Sequence, residues 1–122
     1  MINIQLKKLS VKILDFNAVD NILGNPKEYP TKLIEDLSIE TAWKFYKQEI
    51  SYLEGDFIMN NIYAFWIHQY CKEFGFSEIA WECYEAFDSG EFSRQSDDSE
   101  LDPIEIYTKP LIEELLKKLK KI

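Results

Sequence analysis

The stretch Asp56 to Gly75, DFIMNNIYAFWIHQYCKEFG, decides how the rest of the chain is read. Phe57, Ile58, Ile62, Tyr63, Phe65, Trp66, Ile67, Tyr70, Cys71 and Phe74 recur at helical spacing and leave little polar surface. That predicts a central helix covered on several sides, with Asp56 as its N-cap and Gly75 as its C-terminal cap. The apolar run around Ile62 to Ile67 is far shorter than the roughly 20 residues a membrane span needs. A chain of 122 residues, 46% hydrophobic and 15% aromatic, has the material for one core, so a single globular domain over residues 1–122 is expected.

Downstream, Ser77 is placed to cap SEIAWECYEAFDSG, with Ile79, Ala80, Cys83, Tyr84 and Phe87 facing inward and Gly90 just past the end. The short Gly75-Phe76 link makes this helix the antiparallel partner of the central one. Upstream, Ser38 reads as the cap of SIETAWKFYKQEISYLEG, in which Ala42, Trp43, Tyr46, Ile50 and Leu53 trace one face before Gly55. A shorter helix, Thr31 to Leu37, precedes it with Pro30 near its start.

At the N-terminus, Leu6, Leu9, Ile13 and Phe16, then Val19, Ile22 and Leu23 before Gly24, give two helical pieces. Alternating strands through Ile2, Ile4, Leu6 and Leu9, Val11, Ile13 compete, but Lys7-Lys8 is poor hairpin chemistry. From Thr108, with Pro110 in the first turn, Leu111, Ile112, Leu115, Leu116 and Leu119 mark a closing amphipathic helix. Its terminal lysines, Lys117, Lys118, Lys120 and Lys121, complement the helix dipole. The expected fold is therefore all-α: a compact bundle of five or six helices with one long acidic loop before the C-terminal helix.

Charge is unevenly distributed. Glu85 to Glu105 holds eight acids against the single base Arg94, a net charge of minus seven out of minus eight for the whole chain. Such a balance argues against nucleic acid as a direct partner, because phosphate neutralisation needs clustered lysine and arginine. Lysines 7, 8 and 12 interrupt the first apolar positions and no small-residue cleavage site follows, so a signal peptide is not predicted and a cytoplasmic location is expected. Cys71 and Cys83 are too few for a disulfide framework and read as reduced core residues.

Chemistry-bearing combinations are weak. His68, Cys71 and Cys83 could approach one another, but a structural zinc site needs a fourth ligand, and a hydrogen-bonded core histidine with two buried thiols is the expectation. Counted from Asp88, the glycine and glutamate of a calcium-binding EF-hand loop fall on Ser93 and Ser99. No nucleophile and base are paired, and the four glycines form no phosphate loop. No metal, no cofactor and no enzymatic activity are predicted. What is left is a recognition surface: Asp88, Glu91, Asp97, Asp98, Glu100 and Asp102 as the acids, with Phe92 and Tyr107 as apolar anchors. Densely packed like charges repel, and a docking cationic surface relieves that repulsion.

In size, acidity and helical character the chain resembles bacterial immunity proteins, of the type that neutralises colicins or the toxins of contact-dependent growth inhibition. That resemblance implies a non-enzymatic protein that binds the toxin domain of its own system, here a basic nuclease, through an acidic surface. The alternative is a helical adaptor or regulatory subunit that binds a protein through an apolar helix face, with the acidic loop passive.

Overall fold

A computed structural model of the chain describes residues 2–28, 30–69, 76–91 and 102–122. It is all-helical, with no strand among the described residues. Six α-helices follow one another: α1 (Ile2–Leu9), α2 (Phe16–Ile22), α3 (Thr31–Tyr46), α4 (Tyr52–Gln69), α5 (Glu78–Asp88) and α6 (Lys109–Lys118), the last preceded by a π-helical turn, Ile104–Thr108. Helices α3, α4 and α5 each pack on the other two. Helix α6 closes over α3 and α5, while α2 lies on α4 and α1 lies against α2, α3 and α4. One apolar cluster runs through them all, with Leu9, Ile34, Leu37, Ile58, Met59, Ile62, Phe65, Phe87, Ile112 and Leu116 almost wholly withdrawn from water.

The N-terminal segment is helical and not stranded, but the first piece expected through Ile13 and Phe16 ends at Leu9: Ile13 is exposed in the link and Phe16 opens α2. Between α1 and α2 the chain breaks, and the buried Asn61 of α4 satisfies that break. Its Nδ2 donates to the carbonyls of Leu9 and Lys12, both at 2.9 Å, and its Oδ1 accepts from Leu14 N–H at 2.8 Å. Asp15 then caps α2 through Ala18 N–H. Gly24, at φ 88°, closes α2 in the left-handed conformation that favours glycine.

Helix α3 differs from expectation at both ends. The two pieces predicted for Thr31–Leu37 and for the run after Ser38 are one continuous helix, because the Ser38 hydroxyl donates back to Ile34 O at 2.8 Å instead of capping a new start. That helix stops at Tyr46, well before Gly55. Gln48 takes the left-handed conformation at φ 64°, and Glu49 N–H donates to Lys44 O while Gln48 N–H donates to Phe45 O, the paired bonds of a Schellman motif. Tyr46 and Leu53 are consequently exposed, on different helices.

The start of α4 is set by a capping box, SYLE. Ser51 N–H donates to Glu54 Oε1 at 2.8 Å and Glu54 N–H donates to Ser51 Oγ at 3.1 Å. Gly55 and Asp56 therefore lie inside the helix, not at a boundary. Gly55 is needed there for contact: a Cβ would stand 2.6 Å from Cζ of Phe87. Phe87 meets Phe45 edge-on at 5.1 Å and Tyr52 at 5.8 Å, so this glycine lets α4 and α5 close on one aromatic hub. Gly75, the expected C-terminal cap of α4, lies outside the described residues, as do Tyr70, Cys71 and Phe74.

Ser77 caps α5, accepting from Ala80 N–H at 3.3 Å. Cys83 is fully buried with its thiol pushed up by burial, and it donates to Ser38 O. Pro110 has no N–H to offer the carbonyl four residues back, and the chain answers with a wide turn in which Lys109 N–H donates to Ile104 O, five residues away. Helical structure thus begins several residues before Thr108. The terminal lysines behave as dipole-compensating groups: Lys117 and Lys118 lie in the last turn of α6, and Lys118 reaches Glu82 of α5 at 2.6 Å. His68 is not a core residue; it is exposed on α4, its ring 3.9 Å from that of Phe16.

Candidate functional site

Helices α4 and α5 run antiparallel, which brings the N-terminal turns of α4 beside the C-terminal end of α5. On α4, Asp56, Asn60, Tyr63 and Ile67 share a stripe at helical spacing; on α5, Trp81, Tyr84, Asp88 and, just beyond the helix, Glu91 do the same. The two stripes meet in one seam. One end carries carboxyls and the other carries aromatic rings.

At the acidic end Asp56 is only 8% exposed, yet its neighbours Asp88 and Glu91 are exposed. Asn60 Nδ2 donates to Asp56 Oδ1 at 3.1 Å and to Asp56 O at 2.8 Å. Burial, then the hydrogen bond and the charge of Glu91, then the charge of Asp88, push the Asp56 carboxyl up to about 7, against the opposing hydrogen bond from Asn60. Asp56 is thus a mostly buried carboxyl held protonated well above the ordinary carboxylate range, facing Glu91 and Asp88. Tyr52 closes the corner: its hydroxyl donates to Phe87 O at 2.6 Å. Burial holds its phenol far above the ordinary value, with the charges of Asp56, Glu91, Asp88 and Asp102 adding to the effect. Buried Gly90 lets the chain turn tightly there, since a Cβ would fall 2.9 Å from Cε1 of Tyr52 and onto the Thr108 hydroxyl. Thr108 itself donates to Ala86 O at 2.7 Å, which ties the start of α6 to the end of α5.

At the aromatic end Tyr63 stacks on Tyr84, centroids 4.2 Å apart and planes 19° off parallel. Trp81 lies 5.6 Å from both, and Trp66 and Phe76 complete the group at 4.9 Å from each other. Trp81 is 39% exposed and the other four are half-buried. The Tyr84 phenol is pushed up to about 12, by burial first and by the Asp88 charge next.

Of the residues expected to form a docking surface, Asp88 is the last of α5 and Glu91 lies three residues on, both exposed and both turned toward Asp56. Asp102 is exposed, but its Oδ1 accepts Ile104 N–H at 2.9 Å and its carbonyl accepts Glu105 and Ile106, so it also caps the helix it precedes. Tyr107 is half-buried in the π turn. Phe92, Asp97, Asp98 and Glu100 lie outside the described residues. Asp56, Tyr52, Tyr63, Trp81 and Tyr84 join the site only in three dimensions. The Asp56, Asn60, Tyr63 spacing was the available signal, hidden while Asp56 stood as a cap.

Three surface clefts, of 260, 160 and 190 Å³, open between α5 and α6, between α3 and α6, and among α1, α3 and α4. None of these three is lined by Asp56, Asp88 or Glu91. No group of three or more histidine, cysteine, aspartate or glutamate side chains is placed to hold a metal ion among the described residues, and no helix among them is long and apolar enough to cross a membrane. Comparison with protein-family models, with curated proteins and with solved structures finds no match.

Proposed function

We propose that the chain is an immunity protein that binds and neutralises a basic toxin domain of its own system, presenting the acidic end of the α4–α5 seam and the acidic segment that follows it. The observation that carries this reading is the convergence of Asp88 and Glu91 on the buried Asp56 carboxyl, within a window that holds seven of the eight net negative charges of the chain. Like charges gathered this closely repel one another in the free protein. A lysine- or arginine-rich surface docking there removes that repulsion and accelerates the encounter. Inhibition by occlusion requires no chemistry from the inhibitor, only a surface complementary to the toxin.

The test uses a cognate toxin domain, which this reading expects to be encoded immediately upstream. Reversing Asp88, Glu91 and Asp102 together to lysine should slow association on the order of tenfold at low salt and flatten its dependence on ionic strength. Unchanged association kinetics would remove the acidic surface from the interface. A helical adaptor is the second reading, favoured by the half-exposed rings of Tyr63, Trp66, Phe76 and Tyr84 and the exposed Trp81. It predicts that deleting Ser93 to Leu101 leaves partner binding intact, whereas the immunity reading predicts its loss.

A further inference from the structure

The aromatic end of the seam is more than packing. Trp81, Tyr84, Asp88 and Glu91 follow one another at intervals of three, four and three residues, so ring faces and carboxylates lie along one line one helical turn apart. Trp81 leaves 39% of its surface in water, although Phe65, Phe87 and Ile62 on the same two helices are fully buried. Among the described residues, the cation that sits over a ring is Lys47, 4.9 Å from the Trp43 centroid and away from Trp81 and Tyr84. Stacked on Tyr63, the Tyr84 ring is held in place before any partner arrives.

We propose that this seam seats an arginine of the basic partner, its side chain crossing the exposed Trp81 ring so that the guanidinium lies on Tyr84 and its N–H groups pair with the Asp88 carboxylate one turn on, with the Glu91 charge beyond it adding to the attraction. The inference rests on the reading of the protein as a binder of a basic partner, and it specifies which basic side chain is recognised and where. Arginine is selected over lysine because its planar cation stacks on a ring and still presents a fork of donors at its edge, whereas an ammonium is a compact, strongly hydrated point charge. Rings already held by α4 lose little freedom when the arginine arrives, and an aromatic anchor beside a charged rim is the composition of an interface hot spot.

Two nonapeptides of equal charge serve as probes, one alternating arginine with glycine and one alternating lysine with glycine. Each is titrated into the full-length protein, with binding followed by calorimetry and by tryptophan fluorescence. The arginine peptide should bind about fivefold tighter than the lysine peptide, the size of one partly desolvated cation–π contact. In Trp81→Leu and Tyr84→Leu that preference should shrink toward unity while the lysine peptide is little affected, and Trp81→Phe should keep part of it. Far-UV circular dichroism confirms that each variant is folded, and a variant that fails to fold leaves the decision to the other ring. Equal affinity of the wild-type protein for the two peptides, or an arginine preference that survives both leucine substitutions, overturns the aromatic seat and leaves the acidic interface standing. If Asp88→Lys with Glu91→Lys leaves both peptides bound as before, the acidic interface beneath it fails as well.

Discussion

Replacing Asp56 with asparagine should make the protein more stable at pH 8, by a margin that shrinks as the pH falls toward 4.5. In the unfolded chain an aspartate titrates at about 3.9. In the fold, burial and the facing Glu91 and Asp88 push Asp56 up to about 7. Unfolding therefore releases a proton throughout the window between those two values. Stability falls as pH rises through that window, and the full cost of the charged carboxyl is present above pH 7. Three units correspond to about 4 kcal/mol as a ceiling, and water reaching the exposed Glu91 and Asp88 side reduces this to about 2 kcal/mol. Asparagine is neutral at every pH, keeps an oxygen to accept from Asn60 Nδ2, and offers N–H where the protonated acid would offer O–H to Glu91. For a chain of this length about 2 kcal/mol is a rise of roughly 8 °C in Tm at pH 8. Urea unfolding followed by circular dichroism, at constant ionic strength between pH 4.5 and 8, measures the difference directly. A gain that does not depend on pH, or a wild-type protein that gains on Asp56→Asn as pH rises from 5 to 8, would refute the raised Asp56 carboxyl.

Two further substitutions probe what positions the seam. Gly55→Ala places a methyl group in the Phe87 ring and should cost about 2 kcal/mol in urea denaturation, although alanine favours a helix interior by about 1 kcal/mol; a neutral or stabilising result would mean that α4 and α5 are not held at this separation. Asn61→Ala leaves the carbonyls of Leu9 and Lys12 and the N–H of Leu14 without their partner, and should cost about 3 kcal/mol while hydrogen exchange quickens first at Leu14 and in α1; uniform quickening across all helices would contradict a local staple.

Much of the architecture is legible along the chain because the signals are local. Helix α5 announces itself through Ser77 at its cap, Gly90 beyond its end and apolar residues on one face, and the structure has all three. The capping box SYLE is equally local, and it places the start of α4 ahead of Gly55 and Asp56. The end of α3 was not legible: Gln48 holds the left-handed position that a glycine would advertise, so the periodic pattern runs on past the true stop. Ser38 was ambiguous in the same sense, because a serine hydroxyl can cap a helix or bond back into one, and burial against α5 decided for the second.

Sequence by itself determined that this protein is helical, that Phe57 to Trp66 is mostly inside, that Cys83 is buried, and that negative charge is gathered late in the chain. Those properties follow from periodicity, capping and composition, which each residue carries wherever the chain goes. Only the tertiary structure decided that Asp56 meets Glu91, that Tyr63 stacks on Tyr84, and that acids and rings form one continuous seam. Such encounters depend on the register of two antiparallel helices, set by the approach of Gly55 to Phe87 and by the Tyr52 bond to the Phe87 carbonyl. A residue does not carry its long-range neighbours in its own identity, and the Asp56 carboxyl is raised first by its burial in the fold and then by acids more than thirty positions away.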